Sequence, residues 1–375
     1  MPGYELLGSE ELAAIKLIFD GAPVLFAHGH DKTRSNFHIR EFEKCLANKF
    51  SSDYVLCVSS GTAAIKIALK ALGIGPGDEV ITQGFNFIGT VEAITDIGAL
   101  PVITNIDDSL NMCTDSLRQK ISHKTKAILP VHMLGVPADL ENIMKVSAET
   151  NIPVIEDACE AIGAKYASNY VGTIGHLGVY SFDFGKNITT GEGGAILTST
   201  GSFDQFMRSY HDHGHANRVG VPRGLDEIAC AGFNYRMTEI SGAIGKVQLE
   251  KLDHIIALHK ERYNILENGV NKKFRQRTVP AFATPSYDCY VFEVNDEKAR
   301  EVIIHILHQL GVGTKNLPDA MVWHCAFFWE HLTRPEDRED LVEVKEKLKN
   351  CIAVPINIKV PIKKYEEFVA AIIKL

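Results

Sequence analysis

The chain reads as an α/β protein, a large domain with a mostly parallel central sheet followed by a smaller C-terminal α+β domain. Two patterns predict this. Between about residues 53 and 200, short and nearly continuous apolar runs alternate with amphipathic segments of helical length, and strands apolar on both faces are the ones that helices cover on both sides. Beyond them, one long helically periodic stretch leads into a tail where strand-like and helix-like segments mix. In chain order, strands are expected at 54–58, 79–82, 101–106, 127–132, 153–156, 179–182 and 195–198, with helices at 63–72, 88–97 and 140–150. The periodic stretch, 238–263, sets Ile240, Ala243, Ile244, Val247, Leu249, Leu252 and Ile255 along one helix that leaves the main domain. A strand at 289–294, a helix at 297–310, a polar and aromatic region at 323–329, a strand at 352–358 and a helix at 365–373 complete the chain. The boundary is placed at 1–250 and 251–375.

Composition narrows the function. Of the 375 residues, 45% are hydrophobic and 23% charged, the balance of an ordinary globular protein with no long disordered tract. Asp and Glu outnumber Lys and Arg by 47 to 39, giving a net charge of -8. Without clustered cations, a nucleic-acid partner is not expected. Cysteines at 45, 57, 113, 159, 230, 289, 325 and 351 form no C-x-x-C pair and read as buried free thiols of a reducing compartment. The opening residues have no basic and apolar leader pattern, and no apolar run is long enough to span a bilayer, so a cytoplasmic protein is the expectation.

The most informative residue is Lys186, in Ser181-Phe182-Asp183-Phe184-Gly185-Lys186-Asn187-Ile188-Thr189-Thr190-Gly191. It is one cation between an aromatic run and a glycine turn, just ahead of an apolar strand. Lysine condenses with carbonyls to Schiff bases once its ammonium form becomes costly. A solvated loop charge is the bland alternative. Three further stretches bear on it. Ser59-Ser60-Gly61-Thr62 follows a strand and opens a helix, which suits either a bound phosphate or simple N-capping. Asp157 ends an apolar strand in Glu156-Asp157-Ala158-Cys159-Glu160, where a carboxylate needs a positive partner or caps the next segment. Phe87, after another strand, is either a flat wall or core.

Taken together, a phosphate cup, a rim carboxylate, an aromatic wall and a sheltered lysine match the needs of pyridoxal 5'-phosphate. The phosphate wants a helix N-terminus, the pyridine nitrogen an ionised Asp, the ring an apolar face and the aldehyde a lysine.

On these stretches, with Gly135, Gly232-Phe233-Asn234-Tyr235-Arg236-Met237 and Val354-Pro355-Ile356, most of the chain resembles the DegT/DnrJ/EryC1/StrS family of sugar aminotransferases, fold-type-I pyridoxal-phosphate enzymes related in fold to aspartate aminotransferase. The resemblance implies Lys186 as the Schiff-base lysine, Asp157 on the pyridine nitrogen, Phe87 stacked on the ring, and Ser60, Gly61, Thr62 and Ser181 around the phosphate. It implies Glu160 at the ring hydroxyl and Asn234 at the phosphate of the partner subunit's cofactor, hence a homodimer with shared sites. It further implies transfer of an amino group from L-glutamate or L-glutamine to a keto or aldehyde sugar, within polysaccharide or lipopolysaccharide synthesis. Met1-Pro2-Gly3-Tyr4-Glu5-Leu6 and Asp212-His213-Gly214-His215 point within the family to an 8-oxo-octulosonate acceptor, with a nucleotide-linked keto-sugar as the other option. Glutamate at 160, where glutamine is frequent, Gln83-Gly84 in place of a common proline, and Phe184-Gly185 ahead of the lysine depart from the family pattern.

His213, His215 and Arg236 are taken as substrate contacts. A metal held by His211, His213 and His215 is the weaker reading, since no second ligand set at zinc spacing follows, and none is expected. Gly172-x-x-Gly175-x-x-Gly178 lacks the order of a dinucleotide loop. Two alternatives stay open: a pyridoxal-phosphate sugar dehydratase, whose resembling branch has histidine in place of Lys186, and a non-catalytic cofactor-binding sensor.

Overall fold

The computed structural model describes residues 3–30, 33–218 and 220–375, so Met1 and Pro2 of the opening stretch lie outside the described residues. Seven strands make the central sheet: β1 (Tyr54–Val58), β2 (Glu79–Gln83), β3 (Leu100–Thr104), β4 (Thr125–Ile128), β5 (Ile155–Asp157), β6 (Leu177–Ser181) and β7 (Gly194–Thr198). β3, β2 and β4 pair in parallel, and parallel bridges from Ile128 to Val154 and from Val131 to Asp157 carry the sheet on to β5. β5 pairs in parallel with β6, and β7 inserts antiparallel between β6 and β1. The spatial order is therefore β3-β2-β4-β5-β6-β7-β1, with β7 alone reversed. Val80, Ile81, Val102, Ile128, Ile155, Val179 and Ile196 are all fully buried, which explains the unbroken apolar runs.

Parallel strands end on one edge. Val58, Gln83, Asp157 and Ser181 close their strands there, and the reversed β7 begins there, with Gly194 opposite both Val58 and Ser181. Helices Gly61–Ala71, Ile88–Asp96 and Leu140–Thr150 lie within a residue or two of their expected spans. Helices Ser9–Asp20, His38–Phe50, Gly201–Tyr210 and Arg338–Lys349 form outside the expected elements. In His38–Phe50 the spacing of Ile39, Phe42, Leu46 and Phe50 buries one face.

The long helix runs Glu239–Val270, capped by Thr238, whose Oγ1 accepts the Ser241 amide at 3.2 Å. It outlasts the expected end at 263 because Leu266 and Val270 continue the stripe into a second core. Leu249, Leu252 and Ile255 pack with the large sheet, whereas Tyr263, Leu266 and Val270 pack with Phe292, Ile303, Ile352 and Phe368. Position 250 lies inside this helix. In the second core, Arg275–Gln276, Cys289–Glu293 and Cys351–Pro355 form an antiparallel sheet. The last of these strands stops at Pro355 rather than 358, and the final helix, Ile362–Ile372, begins directly after Pro361.

All eight cysteines are free thiols. Cys57, Cys289, Cys325 and Cys351 are buried, and the other four are only partly so. Among the described residues no helix is long and apolar enough to cross a membrane.

Candidate active site

Ser60 caps helix Gly61–Ala71, its Oγ accepting the Ala63 amide at 3.1 Å. The capping reading of this hydroxyl therefore holds, and the amides at the helix start still lack intrahelical acceptors. A Cβ on Gly61 would stand 2.9 Å from the Ser181 Cβ and 3.0 Å from Cys159 Sγ. Only glycine lets the helix start settle against the end of β6. Thr62 is exposed. It meets Phe87 over Gly89, where a Cβ would come 2.9 Å from Thr62 Oγ1 and 3.0 Å from Phe87 Cε1.

Phe87 is 46% exposed, so it is not core. Its ring centroid lies 5.6 Å from that of His324, tilted by 44°. Three residues on, Thr90 Oγ1 donates to Asp157 Oδ2 at 2.8 Å, and the Cys159 amide donates to Asp157 Oδ1 at 3.1 Å. Asp157 is 2% exposed, and among the described residues no Lys, Arg or His pairs with it. A buried carboxylate held by two hydrogen bonds and no cation favours a positive group arriving from outside the chain.

Its neighbour Glu156 has a different task. It accepts the amides of Gly172, Ile174 and Gly175 at 2.8, 2.6 and 2.6 Å, and pairs with His132 at 3.2 Å. The glycine-rich 172–178 loop is thus folded over a carboxylate.

Lys186 sits in a turn set by Asp183, whose Oδ1 accepts the Gly185 amide at 2.9 Å and whose carbonyl accepts the Lys186 amide at 3.1 Å. The Lys186 side chain is 19% exposed, and its Nζ lies 3.6 Å from Glu160 Oε1, not the solvated loop charge of the bland reading. Glu160 Oε2 accepts the Leu134 amide at 3.1 Å. Burial pushes the Glu160 carboxyl upward, but the charges of Lys186, Lys315 and His324 and the Leu134 amide outweigh it and hold it at about 2. Burial pushes His324 down, together with Lys186 and Lys315 and against the pull of Glu160. Reasoning from sequence missed Thr90, His324, Lys315 and Asp288; Thr90, three residues after Phe87 at a helix start, had a detectable signal.

The remaining expected residues lie apart. Arg236 Nη1 donates to the buried Asp212 at 2.7 Å, Arg223 also pairs with Asp212, and both guanidiniums flank Phe26. They neutralise Asp212 within this chain. His213 is exposed at φ 54°, so the segment turns there instead of running extended, while His215 lies 3.9 Å from Asp226. Asn234 is exposed and accepts the Arg236 amide at 3.4 Å. Among the described residues no hydrogen bond or ion pair joins His213, His215, Asn234 or Arg236 to Lys186, Asp157 or Glu160, and no three His, Cys, Asp or Glu side chains converge as a metal site.

A seven-stranded sheet of this order, with lysine, carboxylate and aromatic wall on one rim, defines the fold-type-I scaffold of pyridoxal-phosphate-dependent enzymes. The chain belongs to the DegT/DnrJ/EryC1/StrS aminotransferase family, whose profile matches residues 26–372. It is 40% identical over 235 residues to GDP-perosamine synthase of Escherichia coli O157:H7, a match covering 62% of this chain and 63%, under two-thirds, of that protein. Its structure is similar to an aminotransferase from Psychrobacter cryohalolentis (TM-score 0.84, 28% identity, 98% of this chain and 97% of that one). It is also similar to the aminotransferase TlmJ from Streptoalloteichus hindustanus (TM-score 0.83, 25% identity, 97% of each chain).

Proposed function

We propose that this protein is a pyridoxal-phosphate-dependent sugar aminotransferase, moving an amino group from L-glutamate or L-glutamine to a keto or aldehyde carbon of a sugar. The observation that carries the reading is the sheltered Lys186 amine beside Glu160, on the same rim as a buried Asp157 with which no cation pairs among the described residues. The residues fit the cofactor: Asp157, positioned by Thr90, would hold its ring nitrogen, Phe87 would cover a face, and Gly61, Thr62 and Ser181 would line its phosphate. When bound, pyridoxal phosphate supplies the electron sink for the carbon that gains or loses the amino group. Lys186 then has two tasks, to hold the cofactor through Nζ and, when released, to carry a proton at that same atom. Glu160 keeps a charge beside it.

We read the chain as a large cofactor-binding unit, residues 1–250, and a small unit, residues 251–375, joined through helix Glu239–Val270. The working form is a homodimer, in which Asn234 reaches the phosphate of the partner's cofactor, while His213, His215 and Arg236 contact the substrate. Ile228 and Leu225 support this, being 83% and 74% exposed in the same segment, with Phe233 also exposed, as an apolar surface awaiting a second copy is. A cytoplasmic setting fits eight unpaired thiols.

For the acceptor we propose 8-oxo-3-deoxy-manno-octulosonate, the substrate of an 8-amino-3,8-dideoxy-manno-octulosonate transaminase, with a product destined for lipopolysaccharide. A nucleotide-linked keto-sugar is the second reading, supported by the likeness to GDP-perosamine synthase. Charging the enzyme with L-glutamate and offering both sugar classes decides between them, because only the true acceptor takes up the amino group and restores the cofactor's original absorbance. A deoxygenated product without nitrogen would instead establish dehydration, and inertness to every donor would leave a sensor.

A further inference from the structure

Residues 3–6 lie across the point where the Lys186 turn meets the small unit. Gly3 is buried against that turn: a Cβ on it would overlap the Phe184 carbonyl, 2.7 Å from its carbon, and stand 3.0 Å from the Lys186 carbonyl oxygen. Only a residue without a side chain fits there. The residues after Gly3 are tied in the other direction. The Tyr4 hydroxyl accepts Asn357 Nδ2 at 3.2 Å, and the Tyr4 carbonyl accepts Lys359 Nζ at 3.4 Å. Glu5 is buried, its Oε1 accepting the Ile358 amide at 3.0 Å and its Oε2 lying 3.0 Å from Nε2 of His259 on the helix Glu239–Val270. From the same helix, Lys251 Nζ donates to the Leu6 carbonyl at 2.9 Å.

A buried carboxylate stays where its hydrogen-bond partners are, so Glu5 fixes these residues to the long helix and to the 357–359 loop. At the other end, Gly3 rests on backbone that needs support. Within the turn Asp183 accepts the Gly185 and Lys186 amides, and Gly185 leaves the chain more freedom than a residue with a side chain would. The aim of the Lys186 amine then depends on what lies against the turn.

We propose that Gly3 and Glu5 are positioning residues: anchored through Glu5, residues 3–6 brace the Lys186 turn and hold its amine where it reacts. The effect is mechanical, passed by contact from the 357–359 loop to the lysine turn. It rests on Lys186 being the cofactor-binding amine.

The test compares full-length variants, first without cofactor by hydrogen exchange, then by the rate at which they capture added pyridoxal phosphate, with borohydride fixation and peptide mapping to place the label. Gly3→Ala removes no hydrogen-bonding group and adds one methyl against the turn. It should slow capture roughly tenfold, as a displacement of a fraction of an ångström at a reacting group does, and should speed exchange at 183–187. Gly8→Ala is the control, because a Cβ there meets nothing within 4 Å, and it should match wild type in both measurements. Glu5→Ala, which frees the other end, should speed exchange at 183–187 as well as at 357–359 and slow capture too. Glu5→Gln keeps an acceptor for the Ile358 amide and should recover most of that loss. A wild-type label on a residue other than Lys186 overturns the reading of that lysine, and the positioning role with it, whereas exchange, measured without cofactor, judges the brace separately. Exchange at 183–187 that stays with wild type in Gly3→Ala and Glu5→Ala, a rise spread evenly over the chain, or capture by Gly3→Ala as fast as by Gly8→Ala overturns the proposal.

Discussion

The two sides of the site are built differently. On the sheet side, Asp157 ends a strand and Ser60, Phe87 and Lys186 follow strands that end at the same edge, so the backbone places them before any side chain packs. On the small-unit side, Lys315 and Asp288 reach the site from irregular segments and His324 from the end of the short helix Met321–His324, and their neighbours Cys289, Leu317 and Cys325 pack into the core of the large sheet. Sheet-side residues should carry the chemistry, and small-unit residues should tune it.

Lys186→Ala breaks this comparison most severely. It should lower turnover by about 10³-fold or more, the scale of losing an acid-base group at the reacting atom, and no covalent cofactor adduct should form, as read by assay and intact mass. Asp157→Ala should cost about 10²-fold in turnover, on the scale of a preorganised electrostatic contact, and should weaken cofactor binding. Thr90→Val removes one hydrogen bond to that carboxylate, worth about 1.5 to 3 kcal/mol, and should appear chiefly as faster cofactor loss in equilibrium dialysis.

Glu160→Gln sharpens the comparison through acid stability. The folded carboxyl is held at about 2, below its usual 4.5. The ionised form therefore stabilises the fold above about pH 4.5, and that contribution fades as pH falls toward about 2. Denaturant melts should show Glu160→Gln less stable than wild type near neutral pH, with the gap closing over that acid window. Ser60→Ala should have the smallest effect, about 1 kcal/mol of stability from the lost cap, measured by thermal unfolding.

This difference also explains what was legible. Strands such as Tyr54–Val58 and helix Leu140–Thr150 were readable because burial on both faces, or on one face, writes a period into the sequence. Lys186 and Asp157 were readable because they punctuate such runs. Phe87 is ambiguous in the sequence, and its exposure removes only the core reading. Lys315 had no signal, since Gly313-Thr314-Lys315-Asn316 looks like any polar loop and only the approach of Asp288 and Gly135 gives it meaning. Nothing local reveals that Asp212 is buried between Arg236 and Arg223.

Reduction of the enzyme with borohydride in the presence of pyridoxal phosphate, followed by peptide mass mapping, tests the central assignment most directly. The result predicted is a single phosphopyridoxyl group on Lys186, absent from Lys186→Ala. A label on another lysine, or an unlabelled chain that still aminates a keto-sugar, would contradict it.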